Sequence, residues 1–307
     1  MLNVALLGCG RWGMNHLHVL SKLRDYGVIN RITVIDPSAK ARAAAVLADD
    51  VAESMEMVNP EVVIIASPSQ LHAQQAREAL SNGCHVFVEK PLGCCEADAA
   101  QVLAAAIEHG RVISIGLLLR FHPAVKLVNK MISAGEIGRL EELRFTRESM
   151  RKAPTNSNVV EALGVHAIDL LCHIMGEVDP SDVNTIGDKS QARVILEFPH
   201  GIEGVIDLAW GAKKEVRIVE LIGNKGRVIF DLNVHNNATL LRGGAELKLE
   251  CGSDMSPLEA ELRHFFEAIK SHKSGNEWVS VPEHGAALRG VRWTERAMRS
   301  LQISRPH

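Results

Sequence analysis

Short apolar runs alternate with amphipathic segments through the first 120 residues of the chain. Helical spacing begins at Met14 and recurs at about 72–82 and 96–109. Between these helices the apolar runs predict strands buried on both faces, at 2–7, 32–35, 62–66, 85–88 and 112–115. Strands that alternate with helices in this way are typical of a parallel, doubly wound sheet, so we predict an α/β fold for residues 1–120.

After residue 121 the pattern becomes that of a different architecture. A helix is predicted at about 123–134, and a longer strand begins at Leu140. Turn signals then separate six further predicted strands, at about 190–198, 202–210, 215–222, 226–231, 238–242 and 246–250. This spacing predicts an antiparallel meander, closed by two helices at about 256–271 and 284–301.

These residues, 121–307, are therefore predicted to form an α+β domain with a large, mostly antiparallel open-faced sheet. Several of its strands carry apolar residues on both faces, as in Ala192–Phe198 and Glu203–Trp210. A sheet of this kind is commonly covered by helices on one face and by another subunit on the other. We expect a homodimer or homotetramer that forms through this sheet.

A glycine-rich loop follows the first strand directly. It reads Gly8-Cys9-Gly10-Arg11-Trp12-Gly13 and leads into a helix. In this context Gly8 permits a tight turn, Gly10 lets the backbone approach a pyrophosphate, and Gly13 lets helix and strand pack closely. The loop, including Arg11 and Trp12, is predicted to bind a dinucleotide, which makes the N-terminal domain a Rossmann domain.

The second strand ends on Asp36, where a dinucleotide-binding fold places a carboxylate for the adenosine ribose hydroxyls. A 2′-phosphate would meet this negative charge, so NAD is expected in preference to NADP. Lys40 and Arg42 lie close enough in sequence to soften that discrimination. In the other interpretation Asp36 only begins a turn with Pro37 or caps the next helix.

The strand at 85–88 ends in Glu89-Lys90-Pro91. Proline fixes its own backbone and restricts the residue before it, so Glu89 and Lys90 should occupy a rigid strand end. Gly8, Asp36, Ser67 and Lys90 all follow parallel strands and should share one edge of the sheet, where open α/β sheets place ligands. A solvated charge pair is the other interpretation of Glu89 and Lys90.

Composition and charge exclude several classes of function. The 307 residues carry 34 basic and 37 acidic side chains, a net charge of −3, which gives no footprint for nucleic acid or an anionic membrane. No apolar run approaches the roughly 18 residues of a membrane span. The first residues enter a strand without the basic region of a signal peptide, and six scattered cysteines suggest no disulfide framework. We expect a cytoplasmic protein.

A helical segment at 161–173 carries His166, Asp169 and His173 on one face. These residues fit a core histidine satisfied by a carboxylate, an acid/base pair or a metal site. The spacing differs from that of a zinc-protease helix and no cysteine or carboxylate cluster joins it. We therefore expect no metal.

Four motifs in this order resemble the glucose–fructose oxidoreductase / inositol dehydrogenase / rhizopine catabolism (Gfo/Idh/MocA) family. They are the glycine loop, Ala66-Ser67-Pro68-Ser69-Gln70-Leu71-His72, Glu89-Lys90-Pro91-Leu92, and Gly116-Leu117-Leu118-Leu119-Arg120-Phe121-His122-Pro123. The resemblance implies NAD(P)-linked hydride transfer at a secondary alcohol of a sugar-like substrate. It also implies that Lys90 contacts the substrate hydroxyl and the nicotinamide ribose. Residues implied to line the cofactor are Ser67, Pro68, His72, Glu89 and Arg120.

The helical segment resembles the family pattern D-x-G-x-H-x-x-D. Gly164, His166 and Asp169 match it, which implies that His166 is the acid/base and that Asp169 positions it or the substrate. The first aspartate is replaced by Ala162. Glu161 does not substitute for it, because one step along a helix rotates a side chain by about 100°.

The beginning of the chain, Gly10-Arg11-Trp12-Gly13-Met14-Asn15-His16, is similar to family members that oxidise nucleotide-linked amino sugars at C3. The segment 151–158 begins with Arg151 and Lys152, which suit an anionic group such as a nucleotide-sugar diphosphate or simply form a polar loop. Two other functions stay open. The first is an NAD-binding sensor or non-catalytic subunit, with which Ala162 is compatible. The second is an enzyme with tightly bound, internally recycled NAD.

Overall fold

The computed structural model describes residues 1–155, 157–234, 236–252, 255–276 and 284–303. The first strands are β1 (Leu2–Leu7), β2 (Ile29–Ile35), β3 (Asp50–Ala52), β4 (Val62–Ile65), β5 (His85–Glu89), β6 (Ile113–Gly116) and β7 (Leu140–Ser149). They are followed by β8 (Asp182–Gly187), β9 (Gln191–Phe198), β10 (Ile202–Trp210), β11 (Val216–Gly223), β12 (Gly226–Asp231), β13 (Asn237–Arg242), β14 (Ala245–Glu250) and β15 (Leu301–Ile303).

Except for the short second helix, which has no buried residues, the helices agree closely with those predicted from the apolar spacing. They are α1 (Arg11–Asp25), α2 (Ala39–Ala44), α3 (His72–Ser81), α4 (Glu96–Glu108), α5 (Pro123–Ser133), α6 (Val165–Ile174), α7 (Pro257–Lys273) and α8 (His284–Ser300). A π-helical turn, Val160–Gly164, leads into α6. Within the described ranges, none of these helices has both the length and the apolar character needed to span a bilayer.

The first unit contains a parallel sheet of six strands in the order β3-β2-β1-β4-β5-β6. This confirms the predicted doubly wound fold. The order reverses direction between β1 and β4, so the loops that follow these strands part there and leave a crevice for a ligand. The short strand β3 was not predicted, because Asp50-Val51-Ala52 is too short to give a periodic signal.

The division of the chain differs from the predicted boundary between 1–120 and 121–307. The first unit comprises Met1–Leu117 together with Leu258–Val291, and the second comprises Leu118–Pro257 together with the residues from Arg292 onward. The reason is the apolar stripe of α7. Its Leu262 and Phe265 are fully buried in the core that surrounds β1 and β5, and the Phe265 ring lies 5.7 Å from that of Phe87.

The second unit contains a sheet of nine strands, within the described residues, in the order β14-β13-β12-β11-β7-β10-β9-β8-β15. It is mostly antiparallel, as predicted. The simple meander is wrong at two places. β7 lies between β10 and β11, parallel to β10 and antiparallel to β11, and β15 pairs in parallel with β8. The strands β8 and β15 were not predicted. The buried side chains Leu143 and Phe145 suit β7 to this central position.

One face of this sheet is covered within the unit by α5 and α6. Val128 and Ile168 from these helices share a core cluster with Phe145 of β7. Gly164, at the end of the π-helical turn, packs on β10, since a Cβ atom there would lie 3.3 Å from Leu208 Cδ1. The opposite face exposes large apolar side chains, with exposed fractions of 47% for Ile186 and 38% for Ile218.

A buried ion network holds α6 to the segment that precedes α5. The Arg120 guanidinium donates to both carboxylate oxygens of Asp169, at 2.9 and 2.5 Å, and to Glu177 at 2.7 Å. The side chains of Arg120 and Asp169 are only 3% and 1% exposed. Burial alone would lower the pKa of Arg120, but the charges and hydrogen bonds of Asp169 and Glu177 outweigh it and raise that pKa.

The network continues from Glu177 to a third side chain. Glu177 Oε1 lies 2.7 Å from His173 Nδ1. Glu177 follows the end of α6 with a φ of +64°, a left-handed conformation that non-glycine residues rarely adopt. Its contacts with Arg120 and His173 compensate for that cost.

We expect Asp169→Asn to destabilise the protein by about 3 kcal/mol, because it leaves Arg120 buried without its main counter-charge. This loss of stability lies at the low end of the range expected for a broken buried ion pair, because Glu177 still accepts a hydrogen bond from Arg120. Urea unfolding measures the change. Glu161→Gln, at an exposed position just before α6, is the matched control and should unfold like the parent. An Asp169→Asn midpoint equal to that of the control would contradict the assigned role.

Candidate active site

The glycine loop after β1 is shaped by close backbone contacts. Gly8 has a φ of +86°, and a Cβ atom on it would lie 2.7 Å from the backbone of Ser67. A Cβ atom on Gly13 would lie 2.1 Å from the Gly8 carbonyl oxygen. A Cβ atom on Gly10, in contrast, would have no neighbour within 4 Å. Gly8 and Gly13 are therefore required by packing, whereas Gly10 keeps space open above the loop.

A cleft of about 1100 Å³ lies over this loop, within the first unit. No side chain caps the N-terminus of α1 at Gly10, and no acidic residue lies in its first turn. The positive end of a helix thus meets a cavity with room for an anion. Predicted cofactor residues that line the cleft are Gly8, Gly10, Arg11, Trp12, Asp36, Ser67 and Pro68. These residues fit the pyrophosphate of a dinucleotide.

The Asp36 carboxylate contacts both the turn that follows it and the glycine loop. Its Oδ2 accepts a hydrogen bond of 2.8 Å from the Cys9 N–H in the glycine loop, and its Oδ1 accepts one of 2.8 Å from the Ser38 N–H in the turn. Arg42 lies alongside and donates to the carbonyl oxygens of Asp36 and Pro37, at 2.6 and 3.0 Å. The carboxylate is therefore fixed in place at the edge of the cleft.

Glu89 is not part of a solvated charge pair. The residue is 5% exposed at the end of β5, and its Oε1 accepts hydrogen bonds from Trp12 Nε1 and from His16 Nε2, the latter at 2.7 Å. A Cβ atom on Gly116 of the neighbouring strand would lie 2.9 Å from Oε2. Burial alone would raise the pKa of Glu89, but the hydrogen bonds of His16 and Trp12 and the charge of Lys90 outweigh it and lower that pKa.

His72 connects two strand ends of the first unit. Its buried ring lies within hydrogen-bonding distance of two backbone carbonyl oxygens: Nδ1 is 2.8 Å from that of Pro91, and Nε2 is 2.9 Å from that of Ser67. The Lys90–Pro91 peptide bond is cis, and Lys90 is half-buried. The backbone next to Lys90 is thus held on one side by the buried Glu89 and on the other by His72.

His166 and Asp169 lie in the second unit, one turn apart in α6. Both carboxylate oxygens of Asp169 accept hydrogen bonds from Arg120. The role implied by the resemblance, positioning of His166 or of substrate, stays a prediction. Arg120, implied to line the cofactor, is likewise held by Asp169 and Glu177. His166 is half-buried, as is Ala162 one turn before it, while Glu161 is exposed.

The sequence interpretation missed two partners in the first unit. His16 follows Trp12 by four residues in α1, a spacing that places both on one face of the helix. This signal was present, but only the structure shows that the face meets Glu89. Gly116 belongs to one of the family motifs, but the sequence alone does not show that its lack of a side chain makes room for the Glu89 carboxylate.

Comparisons with known proteins agree with this geometry. The chain matches the model of an oxidoreductase family with an NAD-binding Rossmann fold, GFO/IDH/MocA, over residues 2–117. It matches the GFO/IDH/MocA C-terminal domain over residues 125–229. It is also 26% identical over 302 residues to the scyllo-inositol 2-dehydrogenase (NAD(+)) of Bacillus subtilis (strain 168), covering 88% of this chain and 86% of that protein.

Solved structures show the same fold. A UDP-N-acetylglucosamine 3-dehydrogenase from Acidithiobacillus ferrooxidans superposes with a TM-score of 0.84 at 19% identity, covering 98% of this chain and 97% of that one. A 3-ketoreductase from Actinomadura kijaniata in complex with NADP and TDP-benzene gives a TM-score of 0.85 at 16% identity, covering 99% of each chain. The two family models account for most of the sequence, and the chain therefore belongs to the GFO/IDH/MocA family of NAD(P)-dependent oxidoreductases.

Proposed function

We propose that this oxidoreductase transfers hydride between NAD and a secondary alcohol of a sugar, cyclitol or nucleotide sugar. The observation that carries the proposal is the arrangement of the first unit. A glycine-loop cleft suited to a pyrophosphate and a rigidly held Lys90 both lie at the carboxyl ends of its parallel strands. Bound nicotinamide supplies the hydride acceptor; the protein supplies binding, orientation and proton transfer.

Lys90 is assigned to the substrate hydroxyl. In the oxidation direction its amine accepts the hydroxyl proton while the carbon–hydrogen bond breaks. The buried Glu89 before it and the His72 contact after it restrict where the amine can reach. By the family resemblance, His166 is also assigned to proton transfer. Because position 162 is alanine, no carboxylate lies one turn before His166, and Lys90 bears more of the proton transfer.

NAD is the proposed cofactor in preference to NADP. Asp36 lines the cleft together with Glu53 and Glu56, so this part of the cleft is acidic. Arg42, a cation six residues after Asp36 that could have attracted a 2′-phosphate, directs a guanidinium nitrogen to two backbone carbonyls. A relative that uses NAD(+) and a structural neighbour solved with NADP show that both cofactors occur among similar proteins.

Among the possible substrates we favour a nucleotide sugar, oxidised at C3. Two observations support this choice: the Gly10–His16 segment resembles such enzymes, and the 3-dehydrogenase named above has the same fold over nearly the whole of both chains.

We also propose a homodimer or homotetramer formed through the open face of the second unit's sheet. On that face Ile186 and Ile218 are exposed large apolar side chains of the kind that subunit contacts cover. Light scattering should give the mass of two or four chains. The mass of one chain, at concentrations well above micromolar, would contradict this arrangement.

The catalytic assignment is tested by NAD reduction across nucleotide sugars, polyols and aldoses. We expect turnover with NAD faster than with NADP, and we expect Lys90→Ala to lower kcat by about 100-fold or more, because a positioned acid/base contributes that much. NAD affinity of the variant should change little. Lys270→Ala, an exposed lysine of α7, is the control and should behave like the parent.

Near-normal turnover by Lys90→Ala would remove Lys90 from the chemistry. The Ala162 substitution favours one rival function, a sensor or subunit that binds NAD without turning over a sugar. Tight NAD binding with no reduction on any member of the panel would support that rival. Mass spectrometry of the purified protein also tests for tightly retained cofactor.

A further inference from the structure

Two arginines stand opposite each other on the helix-covered face of the second unit's sheet. Arg147 of β7 is in register with Arg217 of β11 and, on its other side, with Leu208 of β10. Each arginine is two residues from a core side chain, Phe145 and Val219 respectively, so both lie on the face that α6 covers. Like charges directly opposite each other on a sheet are destabilising, so this pair needs a counter-charge.

Arg147 has such a counter-charge. Its Nη1 donates to Glu215 at 2.7 Å and to the Glu148 carbonyl oxygen at 3.2 Å. Glu215 also accepts from Ser149 Oγ at 2.9 Å and from the Met150 N–H at 2.8 Å. Burial alone would raise the pKa of Glu215, but these hydrogen bonds, with that of Arg147 foremost, lower it to about 2. This carboxylate is fully engaged by Arg147 and the strand end.

No carboxylate contacts Arg217 directly among the described residues, although the charges of Glu215 and Asp231 act on it from nearby. Within the part of the chain that the structure describes, its guanidinium makes neither a hydrogen bond nor an ion pair, although the residue is half-buried. Burial and the charge of Arg147 outweigh the opposing charges of Glu215 and Asp231 and lower the pKa of Arg217 to about 10. The guanidinium therefore stays protonated at neutral pH, as a partly desolvated cation. Such a cation is costly to keep unless an anion meets it.

The loops at the same end of the sheet add further positive charge. Arg151 and Lys152 follow β7, and Lys213 and Lys214 follow β10. The two loops are joined by backbone hydrogen bonds, since Gly211 N–H donates to Arg151 O at 2.7 Å and Ala212 N–H donates to Ser149 O at 3.0 Å. We define the basic end of the sheet as Arg151, Lys152, Lys213, Lys214 and Arg217.

The basic end begins close to the element that carries His166. Gly164, two residues before His166, packs on Leu208, and Leu208 is the register neighbour of Arg147. From β10, across β7, to β11 the distance is two strand spacings, about 10 Å. All of these contacts lie within the second unit. The site proposed below requires a substrate whose reactive hydroxyl lies near His166 to extend over β10 and β7 toward Arg217.

We propose that Arg217 and the basic end of the sheet bind the diphosphate of a nucleotide-sugar substrate. This assignment rests on the proposed dehydrogenase function and extends it from a sugar-like alcohol to a phosphate-bearing one. A diphosphate carries several acceptor oxygens, which suits a planar guanidinium surrounded by further cations better than a single carboxylate does.

Calorimetric titration of the NAD-loaded protein tests the assignment, with UDP-N-acetylglucosamine, inorganic pyrophosphate and N-acetylglucosamine as probes. We expect the two phosphate-bearing probes to bind and the neutral sugar to bind far more weakly. Arg217→Gln should weaken binding of both by about ten- to a hundredfold, the loss expected for charge-assisted hydrogen bonds. Arg217→Lys should recover part of it. Higher salt should also weaken binding to the parent.

The control is Arg139→Gln. Arg139 lies just before β7, at the opposite end of that strand, and its exposed guanidinium contacts Glu141. Thermal melting of each variant confirms folding. Unchanged affinity of folded Arg217→Gln for UDP-N-acetylglucosamine and pyrophosphate would overturn the site. The site would also be overturned if the parent bound N-acetylglucosamine as tightly as it binds UDP-N-acetylglucosamine.

The two proposals fail in different ways. If the parent oxidises sugars with NAD and folded Arg217→Gln binds and oxidises the nucleotide sugar as well as the parent does, the diphosphate site is wrong and the dehydrogenase function stands. If no probe or sugar is oxidised but the phosphate-bearing probes bind in an Arg217-dependent manner, the site stands and the dehydrogenase function fails. In a working enzyme, the Arg217→Gln effect should fall on KM for the nucleotide sugar more than on kcat.

Discussion

The candidate site of the first unit depends on one buried carboxylate. An ionised side chain removed from water costs several kcal/mol unless hydrogen bonds and charges compensate for it. Glu89 receives that compensation from Trp12 and His16 of α1, the helix that begins at the glycine loop. The same interaction therefore joins the loop suited to a pyrophosphate with the strand end that carries Lys90. Gly116 contributes by leaving room for the carboxylate.

The second unit uses the same physical device. Arg120 is buried against Asp169 and Glu177, and this network fixes α6, the helix on which His166 lies. In each unit a buried, fully hydrogen-bonded ion group sits beside a residue proposed for proton transfer, and neither ion group is itself assigned to that transfer. Arg217 is the exception, because it is half-buried and, within the described residues, no carboxylate makes a hydrogen bond or ion pair with its guanidinium. This contrast distinguishes a structural cation from one proposed to meet a ligand.

Much of this arrangement can be predicted from local sequence, and the rest depends on tertiary pairing. The glycine loop, Asp36 and the strand ends follow from short motifs whose geometry is local, so Gly8 and Gly13 were assigned with the correct packing roles. The placement of β7 between β10 and β11 depends on pairing between strands far apart in sequence. The position of Arg147 opposite Arg217 follows from that pairing and is therefore not predictable from local sequence. Periodicity showed that α7 is amphipathic but not which core its Phe265 would enter. The engagement of Asp169 by Arg120, 49 residues away, is likewise a property of the fold.

The central claim is that Glu89 holds the cofactor loop and the Lys90 strand end together. Calorimetric titration of NAD into Glu89→Gln tests it most directly. The amide has nearly the size of the carboxylate, but it carries no charge and its N–H group cannot accept the hydrogen bonds of Trp12 and His16. Glu108→Gln, at the exposed end of α4, is the control. The account predicts a loss of NAD affinity of about tenfold or more in folded Glu89→Gln, from the loss of hydrogen bonds to a charged acceptor. An affinity equal to that of the control would contradict it.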